Sequence, residues 1–270
     1  SGFDAVAHAF STVAIGGFST HDASMGYFDS NAILIVCSVF MSISAVNFGL
    51  HFMAWRRRAV GVYIKDSETR FFFSALATVV LITCLYLVFS GTMDPVNGIV
   101  LGLFQAISIT TTTGFATQNF AAWPSFLPLM LLMCSFMGGC GGSTGGGMKA
   151  MRVMLIYQQG IRDLKQLVLP KAIMPLKVGR RRVEASVVSA VWSFFAVYTS
   201  SFIIIMLLLM STGLDFTTAF SAVAAALNNL GPGLGEVAAN YGSISEPAKA
   251  LLCFTMLLGR LEVFTLLVLF

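Results

Sequence analysis

Ala106-Ile-Ser-Ile-Thr-Thr-Thr-Thr-Gly-Phe-Ala-Thr117 is the stretch on which the fold turns. Four β-branched residues in succession are poor helix formers, and Gly114 permits a backbone turn that other residues resist. Apolar segments of membrane length nevertheless flank the run. Irregular backbone at that depth is tolerated only where protein buries it or where it lines a watery path. One use of such a segment is a row of carbonyls that replaces an ion's hydration shell.

Composition sets the surroundings of this stretch. Of 270 residues, 57% are hydrophobic and 10% charged, with a mean hydropathy of +0.84. Globular domains carry roughly 25% charge, so a soluble domain is excluded and an integral membrane protein is implied. Cys37, Cys84, Cys134, Cys140 and Cys253 show no C-x-x-C or metal spacing and read as small buried residues. His8, His21 and His51 are scattered and form no metal constellation. The chain opens Ser1-Gly2-Phe3 and stops at Phe270 inside an apolar run, which reads as a piece of a longer membrane protein.

Outward from the threonines, the pattern repeats. Residues 3–15 are short and apolar, and Ile15-Gly-Gly-Phe-Ser-Thr20 breaks them. Asn31 to about Trp55 is long enough to span, at ~20 residues per crossing. Phe71–Phe89 spans again, and Gly98–Ile109 is a second short segment leading into the threonines. Phe126–Met137 starts a span that the run Gly138–Gly147 interrupts. Lys149–Val183 is the longest polar stretch, with Pro170 and Pro175 limiting helices. Val187–Met210 spans, Phe216–Leu227 is the third short segment, and Pro247 opens a last span. The order is short helix, broken loop and span, three times over, with a preceding span in the second and third units. This divides the chain at 1–58, 59–183 and 184–270, and weak internal symmetry of this kind marks repeated membrane folds.

Charge orients the chain. Of 16 Lys and Arg, five lie at 56–70, nine at 149–182, and only Lys249 and Arg260 remain. The positive-inside rule makes both basic loops cytoplasmic. The outer segments then carry Asp4, Asp22, Asp29, Asp94, Asp215, Glu236 and Glu246 and no basic residue, an acidic mouth that concentrates cations.

A short helix descending from the outer face ends with its carbonyls, the negative end of its dipole, pointing into the membrane, which favours a cation. The following residues, extended, can turn successive carbonyls toward an axis. The filter candidates are Ala14, Ile15, Gly16 and Gly17; Thr111, Thr112, Thr113 and Gly114; and Asn228, Asn229, Leu230 and Gly231. Gly17, Gly114 and Gly231 supply the unusual backbone angles, while Phe18 and Phe115 pack behind; registering the third loop on Gly233 stays open.

The run Gly138, Gly139, Cys140, Gly141, Gly142, Ser143, Thr144, Gly145, Gly146, Gly147 lacks Gly-Lys-[Ser/Thr] and a leading strand, so it is no phosphate cradle. Seven glycines in ten residues are too many for a stable helix. The run reads as a flexible break beneath the filter, a gate. Arg260 lies about thirteen residues into the last span, roughly 20 Å deep, where an Arg faces protein or a cavity. Glu262 does not share its helix face, so glycine-run carbonyls are its candidate partners. Lys149 reads as a marker of the membrane's inner edge.

Ile15–Thr20, Thr110–Thr117, Gly138–Lys149 and Asn228–Gly235 resemble the corresponding stretches of the Trk/Ktr/HKT superfamily of potassium transporters, over essentially the whole chain. The resemblance implies an all-α membrane protein of four repeated helix–pore loop–helix (M1-P-M2) units, potassium-channel-like, around a central pore. This chain would hold the second repeat from its pore helix onward, then the third and fourth. It implies potassium uptake across the bacterial inner membrane, passive or by symport, with K+ as the transported ion, no covalent cofactor and no covalent chemistry. Gly138–Gly147 maps onto the family's gating loop and Arg260 onto its charged partner. The implied partners are membrane lipid, a second copy in a homodimer, and a cytoplasmic nucleotide-binding (NAD/ATP-type) regulatory ring of the TrkA kind docked at 56–70 and 149–182, with no nucleic acid. Pro232 and the absence of threonine set the third loop apart from the other two. Alternatives are a sodium- or ammonium-permeable relative, an intramembrane enzyme using Ser143 or a histidine, and a non-conducting scaffold.

Overall fold

A computed structural model describes residues 1–170, 172, 174–179 and 181–261. The chain runs α1 (Gly2–Val13), α2 (Asn31–Ser44), α3 (Phe48–Arg57), α4 (Gly61–Lys65), α5 (Ser67–Phe89), α6 (Pro95–Thr110), α7 (Phe126–Ser135) and α8 (Ala150–Val168). A small antiparallel hairpin, β1 (Lys177–Val178) and β2 (Arg181–Arg182), follows. Then come α9 (Ala185–Ser211), α10 (Phe216–Leu227) and α11 (Glu246–Arg260). The polar stretch after Lys149 is therefore largely helical, and α8 stops two residues before Pro170 because proline cannot extend it. Lys171, Arg180, Glu262 and the last span beyond Leu261 lie outside the described residues.

Local sequence explains most helix starts. Pro95 opens α6 and Pro247 lies in the first turn of α11, where a missing N–H costs nothing. Asp66 caps α5 by accepting from Thr69 N at 2.7 Å, and Asp215 caps α10 through Thr217 N at 3.0 Å. Of the described helices, α5 and α9 are long and apolar enough to cross a membrane.

The expected single span Asn31–Trp55 is corrected. It is two helices, α2 and α3, bent by 93° across residues 45–47. Asn47 caps α3 by accepting from Gly49 N at 2.7 Å. The backbone groups freed by the break are taken up elsewhere: Ala45 O accepts from Cys140 N at 2.8 Å, and Phe48 N donates to Gly142 O at 3.1 Å. Hydropathy continues through such a bend, so periodicity gave no sign of it.

Two of the short helices, α6 and α10, occupy the centre, whereas α1 is largely exposed. Every residue from Phe104 to Thr110 in α6 and from Ser221 to Leu227 in α10 is buried. Their flanks are small: Gly98 and Gly102 of α6 lie against Leu87, Val88 and Cys84 of α5, and a β-carbon on Gly259 of α11 would overlap the Leu227 carbonyl oxygen. Close backbone approach of this kind is how apolar helices associate in lipid.

Candidate functional site

Three loops, one after each short helix, share one backbone path. In the first, Ala14, Ile15 and Gly16 donate to Phe10 O, Thr12 O and Ser11 O. In the second, Thr111, Thr112 and Thr113 donate to Ile107 O, Ile109 O and Ser108 O; in the third, Asn228, Asn229 and Leu230 donate to Ala224 O, Ala226 O and Ala225 O. Positive φ then alternates: Ile15 +53° and Gly17 +68°, Thr112 +63° and Gly114 +86°, Asn229 +53° and Gly231 +97°. The third loop thus registers on Gly231, not Gly233. An extended path through Thr112–Gly114 is corrected to one of alternating hand. The sequence also missed that non-glycine residues share the left-handed positions. For β-branched Ile15 and Thr112 this conformation costs about 1–3 kcal/mol, which neighbouring packing must hold in place.

The loops abut in sequence. A β-carbon on Gly17 would overlap Thr113 O, and one on Gly114 would overlap Leu230 O. Among the described residues, the carbonyls of Ile15, Gly16, Thr112, Thr113, Asn229 and Leu230 accept no hydrogen bond. Such groups are normally paired when buried, so a row of them is available to a cation. Phe115 packs fully behind the second loop, and Ser108 Oγ donates to its carbonyl at 2.7 Å. Phe18 departs from expectation: it is 82% exposed, because no described element of the chain packs over that side of the first loop. Tyr241 OH donates to Gly231 O at 2.7 Å, and burial pushes its phenol above the ordinary range.

The glycine run lies under all three loops. Thr144 Oγ1 donates to Val13 O at 3.4 Å, Gly146 N to Thr112 Oγ1 at 2.7 Å, and Gly147 N to Asn228 O at 3.2 Å. It is also bound to the α2–α3 bend, to Phe136 O through Met148 N at 2.9 Å, and to Glu68 through Gly141 N at 2.6 Å. The run breaks the helical path between α7 and α8, as expected, and its glycines let backbone approach backbone from several sides. A β-carbon on Gly146 would overlap Asn228 O, and one on Gly138 would overlap Gly146 O.

Two cations bind the middle of the run. Arg260 Nη1 donates to Thr144 O at 3.1 Å, the kind of partner the sequence suggested. Lys149 Nζ donates to Ser143 O at 3.4 Å and to Gly145 O, so it is part of the site and more than an edge marker. Asn228 is wholly buried; its Nδ2 donates to Ser135 Oγ at 2.9 Å and its Oδ1 accepts from Tyr198 OH. Tyr198, Ser135, Glu68 and Tyr241 carried no motif; for Tyr198 and Ser135 a polar residue on an otherwise apolar helix was the only signal, and Glu68, in the polar first turn of α5, and Tyr241, in a loop, carried none. Ser143 Oγ donates to Cys140 O at 2.6 Å. The enzyme alternative rests on Ser143 or a histidine: the Ser143 hydroxyl is bonded to a backbone carbonyl and not to an imidazole, while His8 Nε2 lies 2.9 Å from Ser19 Oγ and His51 Nδ1 lies 2.8 Å from Tyr63 OH.

The acids divide. Hydrogen bonds from the Thr218 hydroxyl and then from backbone amides hold the Asp215 carboxyl below the usual range. Glu246 pairs with Lys249 at 2.9 Å, so the expectation of acids without basic neighbours fails at that residue, one helical turn from a lysine.

A family model described as TrkH, cation transport protein, matches residues 1–270. The chain is 53% identical over 270 residues to the Trk system potassium uptake protein TrkH of Vibrio parahaemolyticus, and 49% identical over 272 residues to that of Escherichia coli. Each match covers 99% of this chain but 56% of the relative, so the chain spans little more than half their length. The crystal structure of the potassium transporter TrkH from Vibrio parahaemolyticus superposes with a TM-score of 0.96 at 52% identity, over 100% of this chain and 58% of that one.

Proposed function

This chain belongs to the TrkH family of cation transport proteins, and from that membership we propose that it forms part of a potassium uptake pathway lined by backbone carbonyls of its three loops. It is a multi-pass membrane protein whose relatives are named as transport proteins. The observation that carries the proposal is the threefold recurrence of one strained backbone path with carbonyls unspent on hydrogen bonds. The C-terminal dipole of each short helix favours a cation there, and carbonyls replace its water. Ala14–Gly17, Thr111–Gly114 and Asn228–Gly231 act as the filter, in units 1–58, 59–183 and 184–270. Gly138–Gly147 acts as a gate, held closed by Arg260 and Lys149. The basic segments face the cytoplasm of the inner membrane, where a nucleotide-binding regulatory ring docks on a homodimer.

Rubidium uptake with sodium competition, in vesicles holding the full-length protein, tests this reading. Gly114→Ser abolishes flux or selectivity. Arg260→Ala removes a charge-assisted bond and shifts the gate toward open by roughly ten- to hundredfold. Uptake indifferent to both changes places the path elsewhere.

A further inference from the structure

Resting on the gate reading above, we propose that Glu68 is a positioning residue that latches the glycine run from the α5 side. Glu68 lies in the first turn of α5 and is 5% exposed. Its Oε1 accepts from Gly141 N at 2.6 Å and from Met151 N at 3.1 Å. Gly141 belongs to the run itself, and Met151 belongs to the first turn of α8, the helix that follows the run. One carboxylate oxygen therefore ties the break to its own exit.

The chemistry suits both bonds. Hydrogen bonds to an ionised acceptor are about twice as strong as neutral ones. The N-terminus of α8 has no side-chain cap from Lys149, its own N-cap residue. An anion from α5 takes that place, against the positive end of the helix dipole. A carboxylate buried this deeply is costly unless it is hydrogen-bonded, and here two amides bond to one of its oxygens.

Glu68 also completes a division of labour. Arg260 and Lys149 grip carbonyls of Ser143, Thr144 and Gly145 in the middle of the run; Glu68 grips an amide nearer its start. The run is held by opposite charges on opposite backbone groups, so opening requires release of both. Glu68 follows α4 and the Asp66 cap by a few residues, and α4 packs on α5. A shift of the α3–α4 surface thus reaches the glycine run without passing through the filter loops.

The test uses the full-length protein in vesicles, with Cys140 as its single cysteine. Cys140 is buried within the run, and its N–H is bonded to Ala45 O at 2.8 Å, so its modification by a water-soluble thiol reagent reports release of the run. Glu68→Ala and Glu68→Asp, which cannot hold both amides, raise the modification rate roughly tenfold or more, and rubidium flux rises with it. Glu68→Gln keeps an oxygen acceptor but not the charge and gives a rate between those of wild type and Glu68→Ala. Unchanged protection of Cys140 in a folded Glu68→Ala or Glu68→Asp protein overturns the latch; the aspartate variant decides if the alanine variant does not fold. Faster modification without a change in flux upholds the latch and sinks the gate reading. Raised flux in Arg260→Ala, with Cys140 still protected in both Glu68 variants, sinks the latch alone.

Discussion

At the residue scale, the filter candidates separate into positions that need glycine for its torsion and positions that need it for space as well. Gly231 takes a φ of +97° with nothing within 4 Å of where a β-carbon would lie. Gly114 takes +86° and is also pressed against the Leu230 carbonyl. Alanine at 231 therefore meets backbone strain only, about 1–3 kcal/mol. Alanine at 114 adds a steric clash with backbone that cannot rotate away. Thermal unfolding of the two variants in detergent is expected to show the larger loss at Gly114; equal losses would mean that torsion alone decides both sites. The glycines are legible as turn formers from their residue type alone. Ile15, Thr112 and Asn229 in the same left-handed region are not, because sequence preference argues against two of them and only surrounding packing enforces it.

At the element scale, the glycine run shows how much bonding composition leaves unseen. Seven glycines in ten residues predict a loose chain, since glycine loses the most entropy on ordering. The fold offsets that cost with bonds from α1, α5, the second and third loops and α11, all converging on the run. Amide exchange is expected to be slow across Cys140, Gly141, Gly146 and Gly147, and fast by comparison at Lys177 and Val178 in the exposed hairpin, measured by deuterium uptake and mass spectrometry. Rapid exchange across the run would show that these bonds do not hold it. The α2–α3 bend belongs to the same account. Ala45 and Val46 are apolar and a lone Asn47 does not end an apolar stretch, so hydropathy reads a single span, and the break is visible only where the run docks into it.

For the whole molecule, the long helices α5 and α9 lie at the perimeter and the short helices α6 and α10 at the centre. This inverts the usual ranking, in which the longest apolar helix is the most buried. About a third of the most apolar stretch of α5 and of α9 is buried within the chain, whereas Phe104–Thr110 of α6 and Ser221–Leu227 of α10 are buried throughout. Lipid accepts the apolar faces of the long helices, while the broken loops must be enclosed by protein. In the proposed orientation the positive-inside rule places the basic segments on the cytoplasmic side. A single cysteine placed at Val60, beside Arg56–Arg58, is expected to react with an impermeant thiol reagent only from the cytoplasmic side. A cysteine at Gly242, after the third loop, is expected to react only from the other side. Labelling of both from one side would reverse or abolish the assigned orientation.

Amino-acid order was enough for the membrane class, the three short helices with their broken loops, and the candidacy of Arg260 for a glycine-run carbonyl. Each rests on local composition, spacing or the cost of a buried charge, which a chain carries whatever its fold. The register of the third loop, the bend after Ser44, and the use of Lys149, Glu68, Asn228 and Tyr241 around the glycine run and the loops emerged only in three dimensions. Those outcomes depend on which unpaired backbone groups meet across long separations. Every residue offers one carbonyl and nearly every residue one amide, so the sequence cannot say which of them a distant side chain will reach.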